Sequence, residues 1–380
     1  MNALLLSGSS CKNQPPPGGS EQVVKKISSL FLAFGVAFCL AATALPTFAQ
    51  ATVTNDVWLM DTAGNPIYAQ GGNISKFGST YYWVGVQYKG SSEYYSSGTA
   101  NSDTEFQSIN LYTSTDLIHW TGHSPLVTTS TSGFSTTSWV GRIGAMLYNS
   151  STGKYVLWVE YDGSDGDGMA CLTSSSPTSG WTLNNVQTSI TNVYYNIPGD
   201  STTFVDVDHS STPYLVFSDP HGREHAYVST FNSSYTSINA ATLISEWAQG
   251  QEGDNMFERN GYYYIVMSEL AGWSYSSDYV VWGTGIQTPS SYTKDATYAG
   301  TTADYTHHSQ CSFVYELKGS ADTSYISVGD RWADFDSSYE KAGYGKSYNT
   351  WGAITFSGET PTYNSVSSLT INVSTGALTW

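Results

Sequence analysis

The chain has 380 residues, 40% of them hydrophobic, 14% aromatic and 12% charged, with 14 Lys+Arg against 31 Asp+Glu for a formal net charge of −17. A surface this acidic repels phosphate backbones and anionic lipid, which argues against nucleic acid or a membrane surface as partner. Of the four cysteines, Cys11 and Cys39 fall in the N-terminal segment and Cys171 and Cys311 in apolar strand-like runs. That leaves at most one disulfide and no four-thiolate metal set.

The first recognisable element is KKISSLFLAFGVAFCLAATALPTFAQA, in which Lys25 and Lys26 precede an apolar run ending in Ala49-Gln50-Ala51. Basic residues, an apolar stretch and a small-x-small site predict a signal or presequence over residues 1–51, removed on export. The competing reading is a membrane anchor, but the apolar run is short for a bilayer span and no stop-transfer pattern follows. Residues 52–380 are then expected to be one soluble domain, secreted or periplasmic and monomeric.

That remainder is rich in Ser, Thr, Gly and Tyr and almost free of 3.6-residue apolar periodicity, so it predicts an all-β fold. Five segments share one grammar: a polar or glycine position, an apolar residue four places later, a turn, and a tyrosine-bearing apolar strand. They are QGGNISKFGSTYYWVGV from Gln70, GRIGAMLYNSSTGKYVLWVE from Gly141, DSTTFVDVDHSSTPYLVFS from Asp200, EGDNMFERNGYYYIVMS from Glu252 and QCSFVYELKGSADTSYISVGD from Gln310. The apolar partners are Ile74, Ala145, Phe204, Met256 and Val314, and successive repeats start 71, 59, 52 and 58 residues apart. Each interval holds a four-stranded sheet, which predicts a five-bladed β-propeller; a β-sandwich with look-alike hairpins is the alternative.

In a propeller the first strand of each blade lines the central channel, so Gln70, Gly141, Asp200, Glu252 and Gln310 should converge at one mouth. Two carboxylates facing each other in a concave site suit glycosidic cleavage, and the charge of one raises the pKa of the other as a proton donor requires. The bland alternative is that Asp200 and Glu252 cap turns or pair with Arg142 or Arg223. Trp83, Trp273 and Trp332, near strand ends, offer flat faces to sugar C–H groups, with packing between blades as the competing role. The acidic run DGSDGDG at 162–168 lacks the spaced glutamate of an EF-hand and reads as a solvated turn. His307 and His308 stand close enough to Gln310 to reach the channel. No metal or cofactor motif is present, and a central calcium ion has no support in the sequence.

At these residues the chain resembles the family-43 glycoside hydrolases, five-bladed propellers acting on galactans, arabinans and xylans, over about Asp61 to Trp351. GGNISKFGSTYYWVG resembles the family's opening hairpin, DSTTFVDVD its third blade and EGDNMFERNGYYYIVMSELAGW its proton-donor blade. The stretch SQCSFVYELKGSADTSYISVGDRW, residues 309–332, is similar to the subgroup containing exo-β-1,3-galactanases. The resemblance implies that Glu252 is the general acid, that Asp200 raises its pKa and orients it, and that Gln310 positions the water, because Ala69-Gln70-Gly71 carries no carboxylate where most members keep their base. It implies substrate contacts from Gln70, Gly141, Arg142, Trp273 and Trp332.

The chain departs from that subgroup at Gln70, where a histidine is usual, at Gly141, where relatives place a substrate-contacting glutamate, and after the acid, where Gly253-Asp254 replaces Gly-Pro or Ala-Pro. The expected function is inverting, exo-acting hydrolysis of β-1,3-galactan or arabinogalactan-type polysaccharide. Two alternatives stay open: a catalytically weakened propeller that binds carbohydrate without cutting it, and a family-43 glycosidase on arabinan or xylan.

Overall fold

Alternation of apolar and polar side chains around short turns folds each repeated segment into an antiparallel hairpin. The tightest is in the fourth repeat, where Arg259 pairs with Tyr262 across Asn260-Gly261. Both turn residues have positive φ, +53° and +82°, as a type I′ turn matched to strand twist requires. The computed structural model describes residues 51–99, 103–195, 197–220, 222–247, 249–293, 296–332 and 349–380. The presequence prediction therefore lies, except for Ala51, outside the described residues.

Every repeat continues outward into a sheet. The first runs from strand Gln70–Phe77 to Thr121–Gly122, the second from Trp139–Ile143 to Thr182–Gln187, and the third from Ser201–Asp206 to Thr242–Glu246. The fourth runs from Glu252–Arg259 to Ala296–Thr297 and the fifth from Gln310–Lys318 to Thr360–Asn364. First strands of consecutive sheets adjoin, and that of the fifth returns to that of the first.

The all-β propeller stands, but the expected count of five blades is overturned: the described residues form six sheets. The sixth is three-stranded, joining Ala51–Thr54 to Ser368–Asn372 and Ala377–Thr379, with Ala51 opposite Ile371. Its strands come from distant parts of the chain and none carries the polar-to-apolar offset of the repeats, so a search for repeated hairpins passes over it. It packs Val53, Leu369 and Ile371 against Trp83, Trp120 and Trp351 in one cluster with residues of the first and fifth sheets. Asn55 locks it there, donating from Nδ2 to the carbonyls of Trp351 and Val366, each at 2.8 Å.

The core lies between neighbouring sheets. Val159 and Tyr161 face the first sheet's Val86 and Ile109, whereas Val156 and Trp158, on the opposite face of the same strand, meet Leu215 and Phe217 of the third. Trp83, predicted as a possible sugar platform, is fully buried in such a seam and lines neither of the two cavities described below. Cys171 and Cys311 are both buried free thiols in different clusters, so no bridge joins them. The acidic run at 162–168 forms a hairpin turn, with Gly163 opposite Gly166. No helix among the described residues is long and apolar enough to cross a membrane.

Candidate active site

Placing side chains at the ends of the first strands requires the backbone to turn them inward, and a repeated irregularity does so. In the first, second, fourth and fifth sheets the register shifts just after the start of the first strand: between Gln70 and Asn73, Val140 and Ile143, Glu252 and Asn255, and Cys311 and Phe313. Such β-bulges put two residues against one, bend the strand and re-aim side chains. At Gly253 the bulge needs φ of +69°, and a Cβ there would stand 3.1 Å from Arg142 Nη2. The resulting backbone directs the Gly253 N–H onto Asp200 Oδ2 at 3.0 Å.

Four of the five predicted convergent positions, Gly141, Asp200, Glu252 and Gln310, line one cavity of about 190 Å³ together with Trp139, Arg142, Glu160, Arg223, Gly272, Trp273 and Trp332. Gln70 does not join them. The helix Lys89–Ser97, whose residues carry no periodic signal, presents Ser91 to Gln70 Oε1 at 2.6 Å, and the Gln70 amide donates to the Arg331 carbonyl. His307 also turns away, toward Asp56 at 3.0 Å and Ser365 at 2.7 Å, and neither it nor His308 borders the cavity.

Arg142 is the hub rather than a free substrate contact. Its Nε meets Asp200 Oδ2 at 3.3 Å, Nη1 donates to Ser312 Oγ at 2.9 Å and Asp330 Oδ2 at 2.8 Å, and Nη2 to Gln310 Oε1 at 2.6 Å. The guanidinium lies 4.8 Å from the centre of the Trp332 ring. Arg223 donates from Nη1 to Asp200 Oδ1 at 2.7 Å and brings Nε within 3.6 Å of Glu252 Oε2. Asp200 thus pairs with both arginines, as the bland alternative foresaw, and also stands beside Glu252. Burial raises its pKa, but Arg223 and Arg142 outweigh that and hold the carboxyl below its ordinary range.

Glu252 is the opposite case. Burial first, then the charge of Asp200, pushes its carboxyl up to about 7 against the lowering pull of the arginines. A proton near neutral pH is what a general acid needs. Gln310 fixes the group: Nε2 donates to Glu252 Oε1 at 3.0 Å and to Ser268 Oγ at 2.9 Å, while Oε1 accepts from Arg142 and, at 2.8 Å, from Trp332 Nε1. These four bonds occupy the two donors and two lone pairs that an amide has.

Glu160, Arg223 as a clamp, Ser268 and Asp330 were not predicted as site residues. All but Arg223 lie on second strands, across the ladder from the predicted positions: Ser268 opposite Glu252, Asp330 opposite Gln310, and Glu160 in the stretch opposite the Gly141-Arg142 bulge. A polar residue ending an otherwise apolar strand next to a candidate site position is the signal that could have found them. Trp273 and Trp332 meet edge to face, with centroids 5.2 Å apart, and form an aromatic wall.

A second cavity, about 490 Å³, is lined by all five predicted apolar partners, Ile74, Ala145, Phe204, Met256 and Val314. At its rim Asp208, Glu258 and Glu316 bring carboxylate oxygens within 4.8 Å of one another, a donor set suited to a hard cation. Lys318 Nζ already stands 2.6 Å from Asp208 and 3.3 Å from Glu316, supplying positive charge from the chain itself.

The sequence matches the model of glycosyl hydrolases family 43 over residues 83–328. A comparison with curated protein sequences finds no match. Among solved structures, an exo-β-1,3-galactanase from Clostridium thermocellum superposes with a TM-score of 0.71 at 22% identity, covering 86% of this chain and 68% of that one. An exo-β-1,3-galactanase from Phanerochaete chrysosporium with β-1,3-galactotriose gives 0.71 at 23%, covering 87% and 70%. A family-43 β-1,3-galactosidase with galactodeoxynojirimycin gives 0.68 at 19%, covering 83% and 99%. At these identities the likeness is one of fold.

Proposed function

The chain belongs to glycosyl hydrolases family 43, and from that premise we propose that it is an exported, monomeric, inverting exo-hydrolase of β-1,3-galactan or arabinogalactan-type polysaccharide. The observation that carries this reading is the buried carboxyl of Glu252, pushed toward neutrality beside an Asp200 held ionised by two arginines. In the proposed reaction Glu252 gives its proton to the glycosidic oxygen as the C1–O bond breaks, while water attacks C1 from the opposite face. Asp200 keeps the proton on Glu252 until the leaving oxygen needs it. Gln310, with its bonding complete, orients Glu252 rather than binding the water.

A cavity of only about 190 Å³ favours a terminal sugar over a chain running through, which supports exo action. The ligands of the structural relatives, galactotriose and galactodeoxynojirimycin, support a galactose-configured residue there. Export rests on the apolar run and small-x-small site before residue 52.

The test is incubation of residues 52–380, beside a Glu252→Gln variant, with β-1,3-galactan, arabinogalactan, arabinan and xylan, reading released sugars and their first anomer by NMR. The expected result is galactose from the first two, initially in the α form, and roughly 100-fold or greater loss in the variant. Equal activity in both proteins would remove Glu252 from its role. A second reading, binding without cleavage, is favoured by one observation: no first-strand carboxylate other than Asp200 and Glu252 reaches the cavity, and Asp200 is fully engaged. Retained binding with no sugar released over days would support it.

A further inference from the structure

An inverting reaction needs a group that accepts a proton from water on the side of the sugar away from the acid. Asp200 uses both oxygens on Arg223, Arg142 and the Gly253 N–H. Gln310 has no spare lone pair. Gln70 lies outside the cavity, its amide held by Ser91 and Arg331. One cavity-lining carboxylate is left. Glu160 comes from the second sheet and Glu252 from the fourth, with Asp200 and Arg223 of the third between them.

The local backbone explains how Glu160 arrives there. It shares a strand face with Val156 and Trp158, so alternation aims it toward the third sheet, and it lies opposite the bulged pair Gly141-Arg142. The Arg142 N–H donates to Oε2 at 3.2 Å, and no hydrogen bond from another described residue engages Oε1. A Cβ at Gly141 would fall 2.6 Å from Oε2 and 2.5 Å from Trp139. The bare glycine therefore makes the room that the Glu160 carboxyl occupies.

We propose that Glu160 is the catalytic base of this site, accepting a proton from the water that attacks C1. The inference rests on the hydrolytic reading above. In the step, a lone pair of the water oxygen forms the new bond to C1 and the water's proton passes to Glu160. The old C1–O bond breaks, and its electron pair, left on the departing oxygen, takes the proton of Glu252. Inverting chemistry places two such carboxyls about 6.5–9.5 Å apart with the water between. Burial, then the charge of Asp200, pushes the Glu160 carboxyl up to about 8, above the Glu252 carboxyl at about 7, so the pair works from its minor protonation state, Glu160 ionised and Glu252 protonated, in which Glu160 is the stronger base.

The experiment compares wild type, Glu160→Gln and Glu160→Ala on β-1,3-galactooligosaccharides, with and without sodium azide. Glu160→Gln keeps an acceptor for the Arg142 N–H, so its unfolding curve separates loss of charge from loss of fold. Both variants should lose roughly 100- to 10,000-fold in kcat with KM little changed. Azide, which attacks C1 without needing deprotonation, should restore turnover in Glu160→Ala as galactosyl azide of inverted configuration. Near-normal kcat in the variants, an effect confined to KM, or no azide product would overturn the assignment while galactose release by wild type leaves the hydrolytic reading intact. Silence from wild type itself on every substrate would overturn both.

Discussion

The two ends of the inner strands are built from opposite materials. At one end Asp200, Glu252 and Gln310 meet buried guanidinium groups in a cavity of about 190 Å³; four residues farther along the same strands Ile74, Phe204, Met256 and Val314 border about 490 Å³ of largely apolar space. Roughly 13 Å of strand separates them. The larger and more apolar space would ordinarily be the default ligand site, yet the carboxylates clamped by buried guanidinium groups are gathered in the smaller one, while the larger keeps Glu258 and Glu316 beside Lys318. The difference teaches that the bulged strand starts at Gly141, Glu252 and Gln310 turn side chains toward the site, joined by Asp200 from a strand without a bulge, while the straight continuation of each strand is left to packing.

That contrast can be broken hardest at Arg142. Arg142→Met strips Asp330 of its guanidinium partner and leaves Asp200 with one arginine, so about 3–5 kcal/mol of stability should be lost with all turnover; denaturant unfolding and galactan hydrolysis read the two effects. Arg142→Lys should not rescue, since one ammonium cannot span Asp200, Asp330 and Gln310. At the other end Met256→Ala should cost about 2 kcal/mol, near the low end for such truncations because the side chain already borders a cavity. Its kcat should be unchanged.

Two titrations sharpen the comparison. In Asp200→Asn the negative charge that helps hold the proton on Glu252 is gone, so the alkaline limb of kcat/KM, set by loss of that proton, should move to lower pH; an unmoved limb would dissociate Asp200 from the acid. The smallest effect lies one strand farther out, at Asp278 opposite Ser268, fully buried with no hydrogen bond to either carboxyl oxygen. Burial raises its pKa well above normal, so the folded state prefers the protonated form and stability falls as pH rises from the ordinary carboxylate range toward the folded value. Asp278→Asn should match wild type in acid, where the native carboxyl keeps its proton, and be increasingly the more stable of the two as pH rises above the ordinary carboxylate range, read as the difference in melting temperature.

What the sequence disclosed was the part written in first strands. The offset of four residues placed Gly141, Asp200, Glu252 and Gln310 at one cavity and their apolar partners at another because side-chain direction along a strand is fixed by its period of two. Glu160, Ser268 and Asp330 escaped because they enter through cross-strand pairing, and register past a bulge depends on where the extra residue sits, which periodicity does not encode. Gln70 obeys the same offset and still fails to reach the cavity, captured by Ser91 of a helix with no periodic signature. The sixth sheet was illegible for a related reason: Ala51–Thr54 finds its partner more than 300 residues away, and nothing in either segment resembles a repeat.

The recurring bulges also make the polar end a set of sockets. Each holds one position at a set angle, filled by a carboxylate at Glu252, by an amide at Gln310 and by nothing at Gly141. This chain leaves the socket at Gly141 bare, and the neighbouring strand leans a glutamate into the opening. A designer exchanging residues between positions 252 and 310 would be changing tools in one holder, whereas any side chain at 141 must first displace Trp139 or Glu160, and the arginine hub is the part that cannot be swapped.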